Sequence, residues 1–346
     1  MADMQEGQIY QEDTSQPSGD KAIEKLDPNG DLLLIAGPYQ LLVSSKVLDL
    51  SSSFFRTMLR SNAFQEGIEQ PNPSKPPVKK LDEDHPDIFL MICRALHYLP
   101  IEPLEAADDF RSFADLCHFY GCDKALSVHA SSWIGREMDN FPTDTLQVLL
   151  WFAFVFRLSR QFQSISVHLA RAQSPSEWKA WEVHPMPAQL KEDMRDLCER
   201  LKDKVQQQVE QAIDAVAANE NRHVGKRDKV CALCFRNKPL ATKRCGHCGS
   251  NDFVDYVCSP EIRLSLFKGW LQVQGYWPLS RLKQRSLRSY SGTQARFLVD
   301  TRTVCGLDDS CPLTTAKVTL LALFELPCVI DGLVLEHYHP ESLHTP

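Results

Sequence analysis

The chain lacks long hydrophobic runs. Its longest apolar stretch, residues 146–156, is about half of the roughly 18–20 residues that a membrane-spanning helix requires. We therefore expect a buried helix there and no membrane partner. The first 27 residues are rich in Gln, Asp, Glu and Ser and contain few apolar groups. They predict a disordered acidic tail and no signal peptide.

Catalytic motifs are missing as well. The 346 residues contain no GxSxG, P-loop, GxGxxG or HExxH pattern, and the 11 histidines are dispersed. No stretch brings together a general base, a nucleophile and oxyanion donors. The sequence therefore predicts a protein that is not an enzyme.

Negative charge is scarce in one long region. Residues 222–302 hold 16 Lys and Arg against 5 Asp and Glu, which is a net charge of +11. Because the whole chain carries −7, the remainder carries −18. Such an asymmetry indicates either a contact for an acidic partner or nucleic acid, or a solvated basic face.

A compact pattern is present at residues 31–67. Two apolar runs, residues 32–35 and 41–43, flank the turn Ala36-Gly37-Pro38-Tyr39 and predict a tight hairpin. Because the runs are continuous rather than alternating, we expect the strands to be buried on both faces.

Two short helices should follow this hairpin. Ser45 is the predicted cap of the first, which carries Leu48 and Leu50. Residues 51–53 supply a second cap. The apolar stripe of the second helix consists of Phe54, Phe55, Met58 and Leu59.

These residues resemble the BTB/POZ domain, and more narrowly its fungal form. The resemblance covers about residues 28–138 and consists of separate blocks in the order of the family. The matching residues are Asp31, Leu41-Leu42-Val43, Ser45-Lys46-Val47-Leu48, Ser52, Phe55, Arg56, Met58, Leu59, Phe64, Glu66, Gly67, Leu81, Glu83, Asp84, Phe89, Phe113-Ala114-Asp115 and Tyr120-Gly121-Cys122. Many members have His where this chain has Ser45, which is an expected variant of the fungal form.

The resemblance implies a short sheet that caps a helical cluster, with a surface for homodimer or heteromer contacts. Val47, Phe54 and Met58 are the predicted interaction residues. Members that bind a cullin often carry an apolar-x-Glu triplet after the Phe-x-Glu segment. Here the triplet Ile68-Glu69-Gln70 ends in glutamine, which argues against that contact.

A long helix is predicted from about residue 188 to residue 219. Its apolar stripe is Leu190, Met194, Leu197, Leu201, Val205, Val209, Ile213 and Val216. The spacings between successive residues of this stripe depart from the strict 3.5-residue repeat of a coiled coil. Packing within its own domain is therefore favoured over an intermolecular coiled coil, which stays the alternative.

Two CxxC pairs, Cys231/Cys234 and Cys245/Cys248, are separated by ten residues and indicate one tetrahedral structural zinc site. Each CxxC turn lets two sulfurs approach the ion from one side. Four thiolates would close the coordination shell, so we expect no catalytic role for the metal. A redox CxxC and four unmetallated thiols are the alternatives.

The remaining cysteines carry weaker signals. Cys258, Cys305 and Cys311 are either buried thiols or part of a metal site, and burial is the favoured interpretation. The cysteines expected in the core are Cys93, Cys117, Cys122, Cys198 and Cys328.

The sequence thus predicts an α+β chain in five segments. They are a disordered acidic tail (1–27), a BTB/POZ-like domain (28–138), a helical region (139–220), a four-cysteine zinc-binding segment (221–258) and a mainly helical region (259–346). The favoured function is a protein-interaction scaffold or adaptor with one structural zinc, in the cytoplasm or nucleus. A nucleic-acid-associated regulator and a substrate adaptor of a cullin-type ubiquitin ligase are the alternatives.

Overall fold

The computed structural model describes twelve stretches of the chain. They are residues 22–60, 76–82, 84–135, 141–181, 186–220, 223–224, 230–231, 243–246, 248–254, 257–291, 311–325 and 331–338. The chain divides into two compact units. Unit 1 comprises Met1–Pro103 with Asp115–Leu126, and unit 2 comprises Leu104–Ala114 with Ser127–Pro346.

Unit 1 contains a four-stranded sheet. Its strands are β1 (Ile23–Lys25), β2 (Leu32–Ala36), β3 (Tyr39–Val43) and β4 (Val78–Leu81), in the order β1-β3-β2-β4. β2 and β3 are antiparallel, whereas β1 runs parallel to β3 and β4 runs parallel to β2. The predicted hairpin is confirmed. The proline-rich residues 70–77 predict a surface loop followed by a short edge strand at residues 78–81, and β4 confirms that strand.

The hairpin turn consists of Gly37 and Pro38. Gly37 has a φ of +53°, the left-handed region that glycine adopts without a steric penalty. A Cβ at this position would also lie 3.0 Å from the Cβ of Pro86, so the turn packs closely against the start of a helix.

Burial in β2 alternates along the strand. Leu32, Leu34 and Ala36 are buried, whereas Leu33 and Ile35 are only half-buried. The expectation that this hairpin is buried on both faces is therefore wrong. An antiparallel sheet commonly packs one face on the core and leaves the other partly exposed, even where the sequence does not alternate.

Regular secondary structure begins before residue 28. Ile23–Lys25 forms β1, and Glu24 makes an ion pair of 2.6 Å with Arg94. The predicted disordered tail therefore cannot extend over these residues, because pairing with β3 satisfies their backbone groups. Residues 1–21 lie outside the described part of the chain.

Helices cover the rest of unit 1. They are α1 (Ser45–Ser51), α2 (Ser53–Leu59) and α3 (Pro86–Leu96), with the C-terminal half of α4 (Ala107–Tyr120) and the first residues of α5 (Asp123–Trp133). The core between them is filled by Leu48, Phe55, Phe89, Ile92, Cys117 and Tyr120.

Unit 2 is mostly helical. Its helices are the remaining parts of α4 and α5, then α6 (Thr143–Val155), α7 (Ser159–Ala172), α8 (Pro175–Ala180), α9 (Ala188–Ala218), α10 (Pro260–Val273), α11 (Arg288–Ser291) and α12 (Pro312–Glu325). Two 3-10 helices lie at Leu279–Lys283 and Leu335–Tyr338. With the sheet of unit 1, this confirms an α+β chain that is mainly helical. None of the described helices is both long and apolar enough to cross a membrane.

The helix α9 organises unit 2. It packs against α7, α10 and α12, as expected for a helix that belongs to its own domain. Its predicted stripe is buried except for Ile213, which is half-buried. At its C-terminal end the fully buried Arg263 of α10 donates a hydrogen bond to the Asn219 carbonyl.

The last described segment, residues 331–338, lies on α7 and α9. The Leu333 N–H donates to the Ser166 hydroxyl at 2.9 Å, and the Tyr338 hydroxyl donates to the Asp193 carboxylate at 2.6 Å. Burial, followed by this hydrogen bond, raises the pKa of Tyr338. The segment ends in a helical turn rather than a strand.

Candidate functional site

The predicted interaction residues lie on α1 and α2 of unit 1. Val47 on α1 and Phe54 and Met58 on α2 are all half-buried. Phe54 and Met58 are four residues apart and so share one face of the helix. The Phe54 ring lies 5.5 Å from the ring of Phe119 and 5.1 Å, edge to face, from the ring of Tyr120.

Hydrogen bonds fix α1 at its N-terminus. Both the N–H and the hydroxyl of Ser45 donate to the Asp31 carboxylate at 2.7 Å. The cap of α1 is Ser44, whose hydroxyl accepts from the Val47 N–H. The prediction of Ser45 as the cap is therefore wrong, because its side chain is engaged by Asp31, the residue directly before β2.

Ser52 fixes the start of α2. Its hydroxyl accepts from the Phe55 N–H at 3.1 Å and donates to the Tyr120 carbonyl at 2.6 Å, and its side chain is buried. One side chain thus caps α2 and joins it to the C-terminal end of α4. This confirms the predicted second cap and holds the Phe54 ring beside Phe119.

Two exposed apolar side chains on α1 and α4 of unit 1 were not predicted as interaction residues. Phe119 is 66% exposed and Leu50 is 65% exposed. We call Phe54 and Phe119, whose rings lie side by side, the apolar patch. Phe119 carries a sequence signal, because it lies outside the buried stripe of α4 that Phe113, Cys117 and Tyr120 define. Solvated aromatic side chains are enriched at sites of protein contact.

The cysteine segment of unit 2 contains two antiparallel strand pairs. β5 (His223–Val224) pairs with β8 (Val257–Cys258), and β6 (Val230–Cys231) pairs with β7 (Phe253–Val254). The second pair is nested inside the first along the sequence. The chain between Cys231 and Phe253 is therefore a loop whose two ends lie side by side.

This loop contains the other three predicted zinc ligands. Cys231 is paired with Phe253, so their Cα atoms are roughly 5 Å apart. Cys248 precedes Phe253 by only five residues. The strand pairing therefore places the backbone of Cys231 beside a residue that is five positions from Cys248.

The second CxxC forms a tight turn. The Cys245 N–H donates to the Ser250 carbonyl at 2.7 Å, and the Gly249 N–H donates to the Cys245 carbonyl at 2.9 Å. Gly249 has a φ of +72°, which a residue with a Cβ adopts with strain. Cys245 is buried and Cys248 is exposed.

The described side chains include only two of the four predicted ligands. Cys234 and the side chain of Cys231 lie outside the described part of the chain. Among the residues that are described, no three His, Cys, Asp or Glu side chains converge on a metal-binding position. The zinc site therefore stays a prediction.

The core cysteines agree with expectation. Cys93, Cys117, Cys122 and Cys198 are buried, and Cys311 is buried as well. Burial raises the pKa of the Cys117 thiol and that of the Cys198 thiol. Cys305, Cys328 and the side chain of Cys258 lie outside the described residues.

The alternative functions rest mainly on residues outside the described part. The cullin-type triplet, residues 68–70, is among them. The basic residues proposed for phosphate contact are Arg222, Lys226, Arg227, Lys229, Arg236, Lys238, Lys243 and Arg244. Of these, the structure describes Lys243 and Arg244, and both are exposed.

No protein-family model matches the chain, and no curated protein matches it.

Proposed function

We propose that the chain is a non-catalytic protein-interaction scaffold of the fungal BTB/POZ type. The observation that carries this proposal is the apolar patch on unit 1, where the exposed Phe119 ring lies beside the Phe54 ring at a tilt. A large aromatic side chain held in the solvent by a rigid neighbour is typical of a contact site.

The architecture of unit 1 supports the proposal. A short sheet with a hairpin at its centre lies beside a helical cluster, as the resemblance implies. The family resemblance leads us to a second copy of the chain as the first partner to test. Reduced, buried thiols such as Cys117 and Cys122 fit a cytosolic or nuclear protein.

A single structural zinc is part of the proposal. Cys231, Cys234, Cys245 and Cys248 would hold the ion, and the tight turn at Cys245 fits a thiolate site. The ion would hold together the loop between β6 and β7 and would leave no open coordination position. Its chemistry is therefore structural.

Sedimentation of the full chain tests the interaction surface. Burying the exposed part of Phe119, on the order of 130 Å², contributes at most roughly 3 kcal/mol per protomer. We expect a dimer in the micromolar range whose dissociation constant rises at least about tenfold in Phe119→Glu. Val273→Glu is the matched control, because Val273 is also 66% exposed but lies on α10 of unit 2.

Two results would overturn this surface. One is a wild-type chain that stays monomeric up to about 100 µM, well above the expected dissociation constant. The other is a dimer that Phe119→Glu and Val273→Glu weaken equally. A monomer that is retained on nucleic acid, and released as salt rises, would favour the nucleic-acid alternative instead.

Metal analysis by mass spectrometry tests the zinc. We expect about one zinc per chain in the wild type and loss of that zinc in Cys231→Ser and in Cys245→Ser. Cys117→Ser is the control and should retain the metal, because Cys117 belongs to the core of unit 1. A purified wild-type chain without zinc would remove the site.

A further inference from the structure

Unit 2 contains a cleft along one side of α9. Its volume is about 540 Å³, within the range of small-molecule sites. The lining side chains are Trp178 of α8, Lys283 of the 3-10 helix, and Lys191, Glu192, Arg195, Cys198, Glu199, Lys202 and Asp203 of α9. The predicted interaction surface and the predicted zinc segment use none of these residues.

Lys202 is the unusual member of this lining. Its side chain is only 4% exposed, and its ammonium group donates to the Lys283 carbonyl at 3.3 Å. Within the described part of the chain it makes no ion pair. A buried charge that is not matched by an opposite charge costs several kcal/mol.

The other charges of the cleft are arranged differently. Arg195 pairs with Glu192 at 2.6 Å, and Lys283 pairs with Asp203 at 2.9 Å. The third carboxylate, Glu199, is exposed to solvent. The four cations of the lining outnumber its three carboxylates, and Lys202 is the one among these four cations that is buried.

The cleft also has an apolar wall. Trp178 is only 6% exposed, and its ring packs edge to face on the ring of Trp181 with 5.5 Å between the ring centroids. This contact holds the Trp178 ring in place. Beside it lies Cys198; burial raises the pKa of its thiol, although the neighbouring Lys202 ammonium acts in the opposite direction. An acidic group near Lys202 would thus adjoin an aromatic surface.

We propose that this cleft binds a small organic anion. The carboxylate or phosphate of the ligand pairs with the Lys202 ammonium, and the flat apolar body of the ligand lies against Trp178. The ligand supplies the negative charge that Lys202 lacks. Pairing with a buried ammonium is stronger than pairing with an exposed one, because solvent screens it less.

Calorimetric titration of the full chain tests this site with three probes. Benzoate and phenyl phosphate carry the two kinds of acidic group, and benzamide is a neutral molecule of the same shape as benzoate. We expect one anion or both to bind and benzamide to bind at least about tenfold more weakly. The tighter anion identifies the acidic group that the cleft prefers.

Two variants assign the binding to Lys202. Lys202→Met removes the ammonium group, keeps most of the length of the side chain, and should weaken binding of the preferred anion about 10- to 100-fold. Arg200→Met is the matched control, because it removes a positive charge from an exposed position of α9 outside the cleft. Its affinity should change less than about twofold, as expected for screened surface charge.

Thermal unfolding of the wild type provides a second measurement that needs no variant. The preferred anion should raise the unfolding temperature in proportion to the logarithm of its concentration above its dissociation constant, and benzamide should not. The proposal is overturned if neither anion binds at millimolar concentration, if benzamide binds equally well, or if Lys202→Met and Arg200→Met have the same affinity as the wild type.

Discussion

Removal of the Ser52 hydroxyl tests how α2 is held in unit 1. Ser52→Ala deletes two hydrogen bonds at a buried position, the cap to the Phe55 N–H at 3.1 Å and the bond to the Tyr120 carbonyl at 2.6 Å. Loss of a helix cap costs about 1 kcal/mol. Loss of a buried hydrogen bond costs about 1–2 kcal/mol more. We therefore expect a total destabilisation of about 2–3 kcal/mol.

Ser44→Ala is the control for this prediction. Ser44 caps α1 through a single bond of 3.4 Å, and its side chain is half-buried. Ser44→Ala should therefore lower the stability of the chain by about 1 kcal/mol or less.

Hydrogen exchange of the full chain measures both effects, because it reports the local opening of each helix. Ser52→Ala should accelerate exchange in α2 and in the C-terminal half of α4 together, since the hydroxyl joins them. Ser44→Ala should act mainly on α1. Equal effects of the two variants, or no change at α4 in Ser52→Ala, would refute the assignment of Ser52 as the residue that joins these helices.

Two further predictions concern unit 2. A Cβ at Gly332 would lie 2.0 Å from the Gln163 carbonyl oxygen, so Gly332→Ala should cost about 1–3 kcal/mol in thermal unfolding. Gly269 lies in the middle of α10 with open space around the position of a Cβ, so Gly269→Ala should stabilise the chain by up to about 1 kcal/mol. Equal effects of Gly332→Ala and Gly269→Ala on the unfolding temperature would contradict this reasoning. Because the pKa of Tyr338 is raised in the folded chain, the phenol loses its proton at lower pH in the unfolded chain than in the folded one. The contribution of Tyr338 to the free energy of unfolding is therefore complete below about pH 10 and is lost as the pH rises further. Tyr338→Phe should lose less stability between about pH 9 and 11 than the wild type, and an identical pH profile would disprove the linkage.

Local patterns predicted several elements of this fold well. The turn at Gly37-Pro38 was predicted because glycine and proline restrict the backbone without help from the rest of the chain. The helix α9 was predicted within one residue at its end, because its apolar stripe is long and regular. The edge strand β4 followed from its position after a proline-rich stretch.

The residues that depend on distant partners were predicted less well. Ser44 and Ser45 are equally good caps by sequence, and only the carboxylate of Asp31, directly before β2, decides between them. The half-exposed face of β2 depends on where helices pack. The strand β1 was missed because its stability comes from β3 and not from its own polar sequence.

The sequence by itself determined the kinds of element and their order, because turn geometry and apolar periodicity act over a few neighbouring residues. It also placed two CxxC pairs close enough in the chain to share an ion. Only the tertiary structure decided that Phe119 is exposed beside Phe54 and that Lys202 is buried in a cleft with no ion pair to any of the described residues. The physical reason is that exposure and charge pairing are set by residues far apart in the chain, which only the folded structure brings together.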